Sequence, residues 1–128
     1  ILEISNEPTV NLTLSLLENC VYFTQEAMQE DKIQKLLKEY GMHSFMNDLV
    51  KNFSSGMVKR SELAIAKMID PEILCIDEPL NYLDKEGVAL LTKLLKSRFE
   101  VGKSNILASQ DSLNIFEDNY ETIDLNVY

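Results

Sequence analysis

With 128 residues, 45% of them hydrophobic, the chain has material for one compact domain and too little for two. Its 21 acidic residues against 12 basic ones leave a formal charge of −9, which repels a phosphate backbone and argues against a DNA or RNA partner. Apolar runs stay short of the roughly 18 residues that a membrane span needs, and no basic stretch followed by an apolar run opens the chain.

Ile1, Leu2 and Ile4 predict a short buried strand, and residues 6–11, with Pro8 inside, read as the loop leaving it. Ser15 and Glu18 stand at capping-box spacing before Leu16, Leu17, Val21 and Phe23, which predicts a helix reaching about Met28. Asp31 is the expected cap of a second helix with Ile33, Leu36 and Leu37 on one face, stopped by Gly41. Ser54 opens a third, long helix with Val58, Leu63, Ala64 and Ala66 as buried positions, ending at Ile69 or Asp70 before Pro71.

From residue 73 to 76 runs an apolar stretch that ends in two acids, the pattern of a parallel strand buried on both faces. A helix over 84–99, a second buried strand over 105–108, a short helix near 113–116 and a last strand over 122–127 complete the expectation. Strands alternating with helices make an α/β layout. Cys20 and Cys75 read as small buried hydrophobes rather than a disulfide or a metal pair. His43 has no second ligand in view and reads as a packing or surface residue. The five methionines read as core filler, and Asp31, Glu39 and Asp48 as a solvated face. Because the chain opens on an apolar run without a methionine, a piece of something longer is expected.

Two stretches carry chemistry. The first is Phe53-Ser54-Ser55-Gly56-Met57, with Arg60 seven residues after Phe53. A serine and a glycine at a helix start aim a hydroxyl and backbone N–H groups where the helix dipole favours an anion, although the same residues also serve as ordinary caps. The second is Asp77-Glu78-Pro79, seventeen residues after Arg60, which puts two carboxylates at the tip of an apolar strand, where α/β sheets bind ligands. Asn81-Tyr82-Leu83-Asp84 follows, and Asp84 is also a plain N-cap for the next helix.

Together these stretches resemble the ABC ATPase family: the LSGGQ signature with its following arginine, the Walker B strand, and the D-loop, commonly SALD. The resemblance implies a partial P-loop NTPase domain, with a Q-loop strand and loop over 1–14, a helical subdomain over 15–71 and a parallel-strand catalytic half over 72–128. It implies ATP and Mg2+ as ligands, and a dimer in which Ser54, Ser55 and Gly56 face the γ-phosphate held by a second ABC ATPase subunit. Asp84 would align the two protomers. Asp77 would hold Mg2+ through water, and Glu78 would polarise the attacking water. At the end of the next strand, Gln110 stands where the family has the switch histidine, and it can hydrogen-bond a phosphate without carrying a proton charge. Glu7 replaces the Q-loop glutamine, and Ser55 and Met57 replace a glycine and the glutamine of LSGGQ. These departures put the rate of turnover in question.

Residues 6–10 and 16–19, with Asp84-Lys85-Glu86-Gly87-Val88-Ala89-Leu90-Leu91-Thr92, are similar to the haem exporter ATP-binding subunits of cytochrome c maturation, the latter run matching DxxGVxxLT. The expectation is therefore an ATP-hydrolysing transporter subunit on the cytoplasmic face of a bacterial inner membrane, docked on transmembrane subunits. The alternatives are a degenerate module that pairs without hydrolysing, and a chromosome-maintenance or repair ATPase, which the acidic charge and the lack of long heptads disfavour. Gly102-Lys103-Ser104 imitates the tail of a P-loop, but a helix precedes it and a strand follows it, the reverse of what the motif needs. The true Walker A is expected upstream of Ile1. Without it, an exposed sheet edge and no tight ATP binding are expected of this piece alone.

Overall fold

The computed structural model describes residues 1–113, 116 and 121–125. In chain order it contains β1 (Leu2–Ile4), α1 (Leu16–Phe23), α2 (Glu30–Glu39), 3₁₀ turns at His43–Phe45 and Val50–Asn52, α3 (Ser55–Ile69), β2 (Ile73–Asp77), α4 (Lys85–Glu100) and β3 (Ser104–Ala108). The strands form a parallel sheet in the order β1-β2-β3, with Cys75 level with Glu3 on one side and with Ile106 on the other. Among the described residues β1 and β3 are the edges.

α3 is the central element, packed against α1, α2 and α4. Its Leu63, Ala64 and Ala66 are fully buried among Leu16, Ile33, Leu37, Leu74, Ile76 and Leu91. Each such leucine or isoleucine contributes about 1.5–3 kcal/mol by leaving water. Ser54 caps α3 by accepting from the Met57 N–H at 3.2 Å, and Asp70 ends it in a left-handed conformation at φ 49°.

Four local expectations are corrected. α1 stops at Phe23 rather than near Met28, because Gln25 and Glu26 turn left-handed (φ 52° and 59°) and the Glu26 N–H bonds back to the Val21 carbonyl at 3.1 Å. That is a Schellman closure made without glycine. α2 starts before Asp31, so Asp31 lies in the first turn, where the dipole favours it, and Gln29 flanks the helix without a side-chain cap. At the other end Gly41 (φ 71°) closes α2 as expected, with the Met42 N–H on the Leu37 carbonyl at 2.8 Å.

Third, among the described residues the helices cover one face of the sheet only. Leu74 and Ile76 of β2 are buried against the helices, while Cys75, half-buried, and Ile106, 56% exposed, lie on the opposite face. The expectation of strands buried on both faces, and of a buried Cys75, fails because the described chain places helices on one face alone. Finally, residues 122–125 form no strand; 126 and 127 lie outside the described residues, as do 114 and 115 of the expected short helix. His43 is exposed and its Nε2 lies 3.4 Å from Gln34 Oε1. Among the described residues no helix is long and apolar enough to cross a membrane.

Candidate functional site

Parallel strands end with their C-terminal tips on one side of the sheet, and β2 delivers Asp77, half-buried, to that side. The chain then turns sharply. Glu78 takes a left-handed backbone at φ 48°, a conformation that costs a non-glycine residue about 1 kcal/mol or more and persists only where its surroundings hold it. Those surroundings are the exit of β3. The Glu78 N–H donates to the Ala108 carbonyl at 2.7 Å, Ser109 Oγ donates to Glu78 Oε2 at 3.2 Å, and the Gln110 N–H donates to Oε1 at 3.0 Å. Ser109 Oγ in turn accepts from the Asp111 N–H at 3.1 Å, which orients the hydroxyl. Each Glu78 oxygen has a second lone pair, so the clamped carboxylate can still accept from a water.

Glu78 and Gln110 are thus brought together, but through the Gln110 backbone; its side chain is exposed. Ser109, at the heart of this clamp, was not singled out in the sequence as a site residue. Its signal was there: a hydroxyl residue next to the switch position at the end of a strand.

The start of α3 lies against the segment after Glu78. A Cβ on Gly56 would stand 2.9 Å from the Tyr82 carbonyl oxygen, so only glycine lets the two backbones approach this closely. Ser54 and Ser55 are exposed; Gly56 and Glu78 are half-buried. Arg60 Nη2 donates to Asp84 Oδ1 at 2.8 Å, and the same oxygen accepts from the Gly87 N–H at 2.8 Å, capping α4. The Gly87 N–H, and then Arg60, hold the Asp84 carboxyl below the usual aspartate range.

Glu7 lies exposed in the loop after β1. That loop is tied down around it: Ser5 Oγ donates to the Glu7 carbonyl at 3.2 Å, Thr9 Oγ1 to the Glu3 carbonyl at 3.2 Å, and the Thr9 N–H to Glu62 Oε1 at 2.9 Å. A cleft of about 250 Å³ opens between this loop, the start of α3 and Tyr82. Lys59 and Glu62 line it, each only 4% exposed. Burial pushes the Glu62 carboxyl up from its ordinary value, against the Thr9 N–H and Lys59, which favour the charged form. Burial pushes the Lys59 ammonium down, against the charges of Glu62, Asp77 and Glu78. The sequence analysis singles out neither residue, although 59 and 62 share one helical face with the buried Leu63 and Ala66.

Gly102-Lys103-Ser104 takes no part in this site. Gly102 turns at φ 82° between α4 and β3, and Lys103 Nζ is held by the Asp70 carbonyl at 2.7 Å and its carboxylate at 2.6 Å. Among the described residues no three histidines, cysteines or acids cluster to cage a metal. Asp77 at the tip of β2 is a single carboxylate of the kind magnesium takes together with substrate phosphates and waters.

The family model for ABC transporters matches residues 2–81, more than half of the chain. The chain belongs to that family. Among curated relatives, the lantibiotic transport ATP-binding protein SrtF of Streptococcus pyogenes is 33% identical over 107 residues, covering 83% of this chain and 47% of the relative. The cytochrome c biogenesis ATP-binding export protein CcmA of Pseudomonas syringae is 27% identical over 126 residues, 95% of this chain and 59% of the relative. Of solved structures, an ATP-binding subunit of an ABC transporter superposes with a TM-score of 0.73 at 20% identity, over 84% of this chain and 48% of that one. A dimeric post-hydrolysis ATP-binding cassette bound to ADP and Pi superposes at 0.70 with 24% identity, over 85% and 51%. The fold is that of part of an ABC cassette, and this ABC chain spans about half the length of the first curated relatives it matches.

Proposed function

We propose that this chain is the helical and C-terminal part of the ATP-binding subunit of an ABC transporter, and that the whole protein hydrolyses ATP. The observation that carries the reading is the clamp on Glu78, a carboxylate at a sheet tip fixed by donors from the end of the neighbouring strand. In this reading Glu78 accepts the proton of the attacking water, with Gln110 beside it. Asp77 would hold Mg2+ through water, where the ion neutralises phosphate charge. Ser54, Ser55 and Gly56 face the γ-phosphate on a second subunit, Asp84 with Arg60 keeps the start of α4 in register with that face, and Glu7 points the first loop toward the ligand. Binding closes the dimer, and hydrolysis reopens it to drive transmembrane subunits at the cytoplasmic face of a bacterial inner membrane.

For cargo, haem export is supported by the alignment to CcmA over 95% of the chain, and by the run Asp84-Lys85-Glu86-Gly87-Val88 with Thr92. Lantibiotic transport is the second reading, favoured by the higher identity, 33%, to the lantibiotic transport ATP-binding protein. Stimulation of ATPase by haem or by a lanthionine peptide, in the whole protein reconstituted with its membrane subunits, decides between them.

The same preparation tests the chemistry. Glu78→Gln should lower kcat by about 10²- to 10⁴-fold, the usual worth of a positioned base, with ATP binding retained. Equal turnover by the variant and the parent would instead indicate a degenerate module that pairs without hydrolysing.

A further inference from the structure

Glu62 stands outside the catalytic residues, and its surroundings give it a task. The chain is buried at Ile4 and again at Val10, so the segment between them, with Glu7 near its centre, is an exposed arch with both feet in the core. The second foot is tied by the Thr9 N–H to Glu62 Oε1 at 2.9 Å, a contact across 53 residues of sequence. Glu62 lies seven residues after Ser55, about two helical turns, so both sit on the face of α3 that lines the cleft with Ser5, Pro8 and Lys59. A buried carboxylate that accepts a backbone N–H makes a stronger and more directional tie than a neutral pair. Lys59 beside it supplies the opposite charge that makes its burial tolerable.

We propose that Glu62 is a positioning residue that fixes the Glu7 arch to α3, so that the arch and the Ser54, Ser55 and Gly56 end of the helix move as one body. This rests on the reading of the chain as part of an ATP-hydrolysing subunit, and goes beyond it by assigning a role to a residue outside the signature, Walker B, D-loop and switch positions. A shift of the helix start then carries Glu7 with it, and a ligand that moves Glu7 moves the helix.

The test uses the whole protein with its membrane subunits, and compares Glu62→Ala, Glu62→Asp and Glu62→Gln with the parent. Hydrogen exchange at the Thr9 amide should accelerate about tenfold or more in Glu62→Ala, the size expected for a lost bond to a charged acceptor. Glu62→Asp keeps the charge but loses reach, so it should behave the same way and carries the test if the alanine variant fails to fold. Glu62→Gln keeps an acceptor oxygen and should leave exchange slow. In steady-state ATPase, kcat should fall about tenfold in the alanine and aspartate variants while KM for ATP changes less than about twofold, with glutamine restoring kcat. Unchanged exchange in both, faster exchange with unchanged kcat, or a glutamine variant as impaired as alanine would overturn the proposal. If the parent and Glu78→Gln turn over equally, the hydrolytic reading fails by itself, and Thr9 exchange alone then judges the tie.

Discussion

Cys20 and Cys75 mark two kinds of interior in one small molecule. Cys20 is fully buried in α1, where α1, α2 and α3 pack on one another. Cys75 is half-buried in β2 on the sheet face that no described helix covers, level with Ile106, which is 56% exposed. Parallel sheets are normally covered on both faces. Among the described residues the helices therefore bury their apolar positions against one another, whereas the sheet is covered on one side only, and its other side presents apolar surface.

Thiol labelling should show this contrast at its largest. Burial pushes the Cys20 thiol up to about 12. At pH 8 that leaves roughly a thousandfold less thiolate than in a free cysteine, before access is considered. Iodoacetamide on the native chain should modify Cys75 and leave Cys20 untouched, with peptide mass spectrometry as the readout. Equal labelling would mean that α1 opens as readily as the sheet face. In the whole protein, loss of Cys75 labelling with Cys20 still protected would mean that another segment covers that face.

Core truncation gives the next effect in size. Leu63→Ala, at a fully buried position in the middle of α3, should cost about 2–5 kcal/mol in urea unfolding. Ile106→Ala should stay within about 0.5 kcal/mol in this chain, because its side chain is already largely in water. Comparable costs at the two positions would remove the distinction between a closed bundle and an open sheet.

How far the sequence already carried this picture depends on whether a signal was local. The Ser15 and Glu18 capping box, the Ser54 and Asp84 caps and the Gly41 stop were legible, because each is one residue type meeting one backbone demand a few residues away. The end of α1 was not, since Gln25 and Glu26 adopt the left-handed turn that glycine normally announces. The open face was not legible either. An apolar run such as residues 73–76 says that a strand favours burial, not whether the rest of the chain supplies cover. Asp77, Glu78 and Gln110 stand out in the sequence through the family resemblance, whereas Ser109 and Glu62 bond to residues 31 and 53 positions away, partners that their own local signals do not name.

The smallest effect concerns Asp84, where the two regions meet. Its carboxylate caps α4 on the sheet side and pairs with Arg60 of α3 on the helical side. Its folded pKa is depressed, first by the Gly87 N–H and then by Arg60. A depressed carboxylate stabilises the fold at pH values above its unfolded pKa, about 3.9, and that contribution is lost as pH falls through the lower folded value. The stability gap between the parent and Asp84→Ala should therefore be constant near neutrality and shrink only below about pH 3.9. Because Asp84 is exposed, the gap itself should be small, and salt should reduce the Arg60 share further. Carboxyl titration followed by NMR separates the two causes. Arg60→Met should raise the Asp84 midpoint part of the way and leave it still below the ordinary value, since the Gly87 N–H remains. A full return to the ordinary value would make the link between α3 and the segment after Glu78, rather than the helix cap, the interaction that holds Asp84.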